Sequence, residues 1–286
     1  MIEVEPGVSV LCHCHWQRNR EAALTVIVVH GFEGSSESLY MTGIAEKGLA
    51  AGMNVVRMNQ RNCGGTDHCA PVLYHSGLSQ DVAAVARSLM ERDHISRFAL
   101  VGFSMGGNLV LKLAGEWGTH GPPEFRAAAA VCPALDLAAS SDALHLLSNR
   151  LYEQYFLWQV KRRMKAKARY FPGVFDLSRL RGIGSLRDFD DRITAFYCGF
   201  DGARDYYARA AASNVVHQIA VPTFILHAAN DPFIRILPAT RQKILANPHI
   251  TFLETEDGGH CSFLAAPAGY DGYWAERRVL EFLKSY

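Results

Sequence analysis

Ser104 lies in the pentapeptide Gly102-Phe103-Ser104-Met105-Gly106. A serine hydroxyl is a poor nucleophile at neutral pH. It attacks a carbonyl only when a base takes its proton and an acid orients that base. Arg97–Phe103 reads as a short buried strand and Gly107–Gly115 has helical spacing. A serine between the two sits on a sharp turn that exposes its hydroxyl beyond the sheet. Glycines on either side suit a strained, closely approached backbone. A phosphate loop is the competing reading, but neither a Gly-Lys-Ser/Thr ending nor a Gly-x-Gly-x-x-Gly run is present.

The partners expected in chain order are Asp or Glu and then His. Val221–Ala228 reads as a strand, and the turn after it contains Asp231. Thr251–Glu254 reads as the next strand, followed by Asp257-Gly258-Gly259-His260. Both side chains then fall beyond strand C-termini, on the sheet edge that carries Ser104, where open α/β sheets bind ligands. Asp136, Asp201 and Asp257 are rival acids. His227 falls inside a strand and His217 before it, which leaves His260 as the base. An oxyanion formed at Ser104 needs fixed donors. The Met105 N–H at the helix start is one candidate. The Phe32 N–H, after the β-branched run Leu24–His30, is the other.

The elements that must position these residues alternate. Strands are expected near 8–16, 24–30, 53–58, 97–103, 127–132, 222–228 and 249–255. Helices are expected near 36–51, 76–92, 104–117, 202–213, 237–246 and 272–284. This is the pattern of an α/β fold, a mostly parallel sheet with helices on both faces. Residues 1–286 read as one domain, with a helical cap insertion at 136–216 where the alternation breaks. In the insertion Leu144, Leu147, Leu151, Tyr155 and Trp158 form an apolar helical stripe. It either lines an acyl pocket or packs the cap onto the core. The basic run Lys161–Arg169 is expected to be a solvated helix face rather than a membrane contact. Ile193–Cys198 has strand propensity and is left unassigned.

Composition excludes several classes. The formal net charge of +1 over 286 residues gives no electrostatic case for nucleic acid. The N-terminus has no basic and apolar signal-like regions, and no apolar run reaches the ~18 residues of a membrane span. A cytoplasmic protein without a transmembrane segment is expected, its seven cysteines reduced. Cys12-His13-Cys14-His15 alternates faces on a strand, so its four ligand atoms cannot converge on one metal. An edge strand is expected there, and no cofactor or metal is called for.

His30–Ser36, Arg61–Gly65, Tyr74–Gly77, Gly102–Asn108, Phe189–Ala195, Asp205–Tyr207, His227–Phe233 and Gly258–His260 together resemble the α/β-hydrolase superfamily, nearly end to end. Within it the chain is similar to the YheT-like and EMB8-like (ABHD1/2/3-related) group of predicted hydrolases. The resemblance implies an α/β-hydrolase fold with a cap, the triad Ser104, Asp231 and His260, and oxyanion donors at Phe32 and Met105. Arg61-Asn62 stands where the group usually has Arg-Gly. No histidine has an aspartate five positions later, as the acyltransferase motif of some relatives requires.

The expected activity is serine hydrolysis of a small-molecule carboxylic ester through an acyl-enzyme intermediate. A thioesterase or acyltransferase using the same triad is the alternative, and a non-catalytic ligand-binding member of the fold is a second one.

Overall fold

Thr25–Val29 is buried at every position, as a strand must be when helices cover both faces of its sheet. The computed structural model describes residues 1–267 and 269–286. Its strands are β1 (Ile2–Glu5), β2 (Val8–Val10), β3 (Cys12–His15), β4 (Thr25–Val29), β5 (Asn54–Met58), β6 (Phe98–Phe103), β7 (Phe125–Val131), β8 (Thr223–Ala228) and β9 (Ile250–Thr255). The helices are α1 (Leu39–Ala50), α2 (Ser79–Asp93), α3 (Met105–Trp117), α4 (Leu137–Leu144), α5 (Arg150–Tyr170), α6 (Leu186–Phe189), α7 (Ala195–Cys198), α8 (Ala203–Ala210), α9 (Pro238–Ala246) and α10 (Trp274–Leu283).

Among the described residues, seven strands form one sheet in the order β3-β5-β4-β6-β7-β8-β9. All neighbours are parallel except β3, which pairs antiparallel with β5 at the edge. The expected strand at 8–16 is in fact two. β2 turns back on β1 as a separate hairpin, and the chain joins the main sheet only at Cys12.

Side chains alternate across the sheet and build two cores. Ile27, Val29, Val56 and Leu100 pack with Val82 of α2 and Leu109 of α3. Val26, Val28, Val55 and Val101 pack with Ile44 of α1 and Leu280 of α10. Each such side chain contributes roughly 1.5–3 kcal/mol when fully buried, so the sheet is a rigid platform for whatever stands on its edge.

Between β7 and β8 the chain is helical. Ile193–Cys198, with its strand propensity, is helical too: Asp190–Thr194 forms a π-turn that runs into α7. A third core, with Leu157, Val160, Met164, Phe189 and Ile193, holds this segment together.

Candidate active site

Ser104 stands at the C-terminal end of β6, the central strand, and α3 begins at the next residue. Its backbone has φ 54° and ψ −118°, a conformation that costs an L residue on the order of 1–3 kcal/mol. The turn closes only because two neighbours lack side chains. A Cβ on Gly102 would collide with the Gly106 carbonyl, and one on Gly106 with the Val29 carbonyl. Ser104 N donates to Val131 O at 2.9 Å, which ties the turn to β7.

Asp231 lies in the turn after β8 and His260 in the loop after β9. The three side chains meet: His260 Nε2 is 3.0 Å from Ser104 Oγ, and His260 Nδ1 is 2.8 Å from Asp231 Oδ2. The other Asp231 oxygen, Oδ1, accepts the N–H groups of Phe233 (3.1 Å) and Ile234 (2.9 Å). Burial opposes ionisation of Asp231. The His260 bond and charge and these two N–H groups outweigh it and hold its carboxyl below the usual value. With Nδ1 held by a carboxylate, Nε2 is the nitrogen left to take a proton from Ser104.

The rival acids are occupied elsewhere. Asp136 accepts the Leu237 N–H and the Thr240 hydroxyl, both at 2.8 Å, and so caps α9. Asp257 accepts from Asn230, and Asp201 is exposed in the loop before α8. His217 is exposed, and His227 is buried in β8.

The loop after β4 reaches Ser104 from the other side. A Cβ on Gly31 would come 3.1 Å from Ser104 Cβ, so the backbone there touches the serine. Gly31 N donates to Tyr40 Oη (3.0 Å), Glu33 N to Tyr74 Oη (2.9 Å) and Ser36 N to Asn59 Oδ1 (2.8 Å). His30 is buried, and that burial draws its imidazole down to about 4, so it is neutral and accepts the Gln60 N–H. Among the described residues, the N–H groups of Phe32 and Met105 have no hydrogen-bond acceptor in the chain.

Two cavities meet at Ser104. One of about 450 Å³ is walled by Phe32, Leu39, Tyr40, Leu264 and Tyr273. The other, about 120 Å³, runs beneath α4 and α5 between Leu137, Leu144, Leu186, Phe233 and Ile234. Phe156 of α5 borders both.

The expected stripe is split over α4, a short 3-10 turn and α5, and of its residues Leu144, on α4, packs into the third core and lines the smaller cavity. Leu144 is buried, but Leu147 (83%), Leu151 (86%), Tyr155 (55%) and Trp158 (56%) are exposed. The helix turns Glu153, Leu157, Val160, Met164 and Lys167 inward instead. The basic run is not wholly solvated either. Arg163 reaches Glu33 and Asp67, and Lys167, fully buried, donates to Asn62 Oδ1 and to the Asp67 and Ala70 carbonyls. Burial pulls the Lys167 ammonium down to about 8. Sequence reasoning missed Glu33, Tyr74 and Arg163 as a unit, although Glu33 and Tyr74 both lie in motif segments. Asn62 has φ 64°, so where the group usually has glycine this chain uses a residue that tolerates the left-handed region.

The profile of the alpha/beta hydrolase fold family matches residues 25–267. The chain belongs to the α/β-hydrolase fold family. Among relatives within it, the protein named "Putative esterase YheT" of Escherichia coli (strain K12) is 32% identical over 265 residues, covering 91% of this chain and 76% of YheT. Phospholipase ABHD3 of Mus musculus is 27% identical over 87% of this chain, which spans only 59% of that protein. The solved α/β-hydrolase structure of Est1E from Butyrivibrio proteoclasticus with ferulic acid superposes with a TM-score of 0.62 at 16% identity, over 99% of this chain and 97% of Est1E. At that identity the likeness concerns the fold. Among the described residues no helix is long and apolar enough to cross a membrane.

Proposed function

We propose that the chain hydrolyses carboxylic esters with Ser104 as nucleophile, His260 as general base and acid, and Asp231 as the residue that orients His260. The observation that carries this reading is His260 itself, bonded to Ser104 Oγ at 3.0 Å through one nitrogen and to Asp231 at 2.8 Å through the other. The designation of YheT as an esterase supports the same chemistry.

In this mechanism Ser104 Oγ attacks the ester carbonyl while its proton passes to His260 Nε2. The oxyanion is held by the N–H groups of Phe32 and Met105, which have no other acceptor among the described residues, and collapse expels the alcohol with the proton from His260. Water then repeats the sequence on the acyl-enzyme. The two cavities take the two halves of the ester, and residues 136–216 act as a cap over the smaller one. Its apolar lining favours an aliphatic or aromatic group there. A chain-length series of p-nitrophenyl esters, run on wild type and Ser104→Ala, tests the assignment. Turnover in the wild type that disappears in the variant is the expected result. Equal turnover in both rules the assignment out.

A further inference from the structure

We propose that Cys132, Cys261 and His260 form an inhibitory site for a thiophilic divalent cation, with Zn²⁺ the best fit. The two sulfurs and one His260 ring nitrogen lie within 4.8 Å of one another. Zn–S bonds of about 2.3 Å and Zn–N bonds of about 2.0–2.1 Å in a tetrahedron put ligand atoms roughly 3.5–4 Å apart. Closure therefore needs only small side-chain shifts. The Cys261 Sγ to His260 Nε2 distance is 4.0 Å.

The two thiols come from different elements. Cys132 is the first residue beyond β7, and Cys261 directly follows His260. Both have positive φ, 44° and 63°, which non-glycine residues rarely adopt. Among the described residues their partners are weak ones: Cys132 Sγ lies 3.6 Å from the Gly259 carbonyl, and Cys261 Sγ lies 3.6 Å from that of Val131 and 4.0 Å from His260 Nε2. A second donor set adjoins the first. A ring nitrogen of His227, Cys132 Sγ and an Asp231 oxygen also lie within 4.8 Å of one another. His227 is 4% exposed and its Nδ1 has no hydrogen-bond partner among the described residues. His260 and Cys261 border the larger cavity, so the cation has a route from solvent.

Two sulfurs and an imidazole select Zn²⁺ over oxygen-seeking Mg²⁺ or Ca²⁺. Binding displaces the thiol protons to solvent. Either His260 nitrogen, once coordinated, is lost to the hydrolytic relay: Nε2 faces Ser104 and Nδ1 faces Asp231. The inhibitory half of the proposal rests on the hydrolase reading; the binding half does not.

The test uses the full chain, stripped of metal by a chelator and kept reduced by a phosphine so that no disulfide forms. Co²⁺ serves as the spectroscopic probe and Zn²⁺ as the inhibitor. One Co²⁺ per chain with a thiolate-to-cobalt charge-transfer band is expected. Zn²⁺ should displace it, and p-nitrophenyl butyrate turnover should fall with Zn²⁺ occupancy and return with chelator. Cys132→Ser and Cys261→Ala, each confirmed folded by its melting curve and compared with its own metal-free rate, should lose the band. Their Zn²⁺ midpoints should rise at least about tenfold. Cys12→Ser and Cys14→Ser, on the edge strand, should keep both. No band in the wild type, or an unmoved midpoint in both site variants, overturns the site. A band without loss of turnover overturns the inhibition. A band in a chain with no esterase activity keeps the site and removes the hydrolase reading.

Discussion

Arg163 on α5 holds Glu33 through two parallel bonds, Nε to Oε1 and Nη2 to Oε2, both 3.0 Å long. Glu33 directly follows Phe32, so this fork ties the helical segment to the backbone assigned to the oxyanion. Tyr74 joins it, donating its hydroxyl to Glu33 Oε1 at 2.6 Å and accepting the Glu33 N–H. The Glu33 side chain is 4% exposed and that of Arg163 is 14% exposed. Breaking a buried pair from one side costs about 3–5 kcal/mol, because a charge is left alone.

Arg163→Ala should therefore lower the melting temperature. It should also lower kcat by up to about a hundredfold through a displaced Phe32 N–H, with a smaller change in KM. Arg163→Lys keeps the charge but not the fork, and should fall between the two. Wild-type kcat in a folded Arg163→Ala variant would contradict the link between this pair and the oxyanion loop.

The two aspartates after neighbouring strands should behave oppositely. Asp231→Asn replaces the carboxylate that holds the His260 Nδ1–H by a neutral amide whose NH2 favours the wrong tautomer, and should cut kcat on the scale of ~10⁴. Asp136→Asn weakens the cap of α9 and should cost about 0.5–2 kcal/mol of stability with little change in kcat. Paired melting curves and steady-state rates on both variants check this, and a reversed pattern would place the acid after β7.

Trp158 is exposed, so Trp158→Ala should change stability by no more than about 0.5 kcal/mol and leave the ester chain-length profile unaltered. Phe156, two residues earlier, borders both cavities. Phe156→Ala should shift the preferred chain length. If Trp158→Ala moves the profile and Phe156→Ala does not, the assignment of the two helix faces is wrong.

These two residues also mark where the sequence stopped being legible. The positions of Ser104, Asp231 and His260 were readable because strand, turn and helix each have a local signature, and strand ends in a parallel sheet share one edge. The helical period of α5 was readable for the same reason. Its rotation was not, because a stripe with Leu151 and Tyr155 competes with one containing Leu157, Val160 and Met164. What decides between them is distant in sequence: Glu33 and Asn62 draw Arg163 and Lys167 inward, and no local pattern announces partners about a hundred residues away. The break at Leu11 and the π-turn at Asp190 were likewise set by pairing and packing rather than by propensity.

Asp190 supplies a pH prediction. Burial raises its carboxyl to about 6, against the bonds from Tyr207 and Thr194. The folded state thus holds the proton more tightly than the unfolded chain does. This contribution to stability is full below the ordinary aspartate value and is lost as pH rises through about 6. The span is worth roughly 2–3 kcal/mol at about 1.4 kcal/mol per unit. Melting curves at about pH 4.5 and about pH 7.5 should show that loss in the wild type and a smaller one in Asp190→Asn. Equal losses in both would assign the pH dependence to other groups.

The most direct test of the account is covalent. A fluorophosphonate probe reacts only with a serine that has a working base and oxyanion site. After reaction with the reduced, metal-free chain, peptide mass spectrometry should find one adduct per chain, on Ser104. Labelling should disappear in Ser104→Ala and be strongly slowed in His260→Gln. An adduct on another serine, or no adduct on a folded chain, would contradict the assignment of Ser104 as the nucleophile.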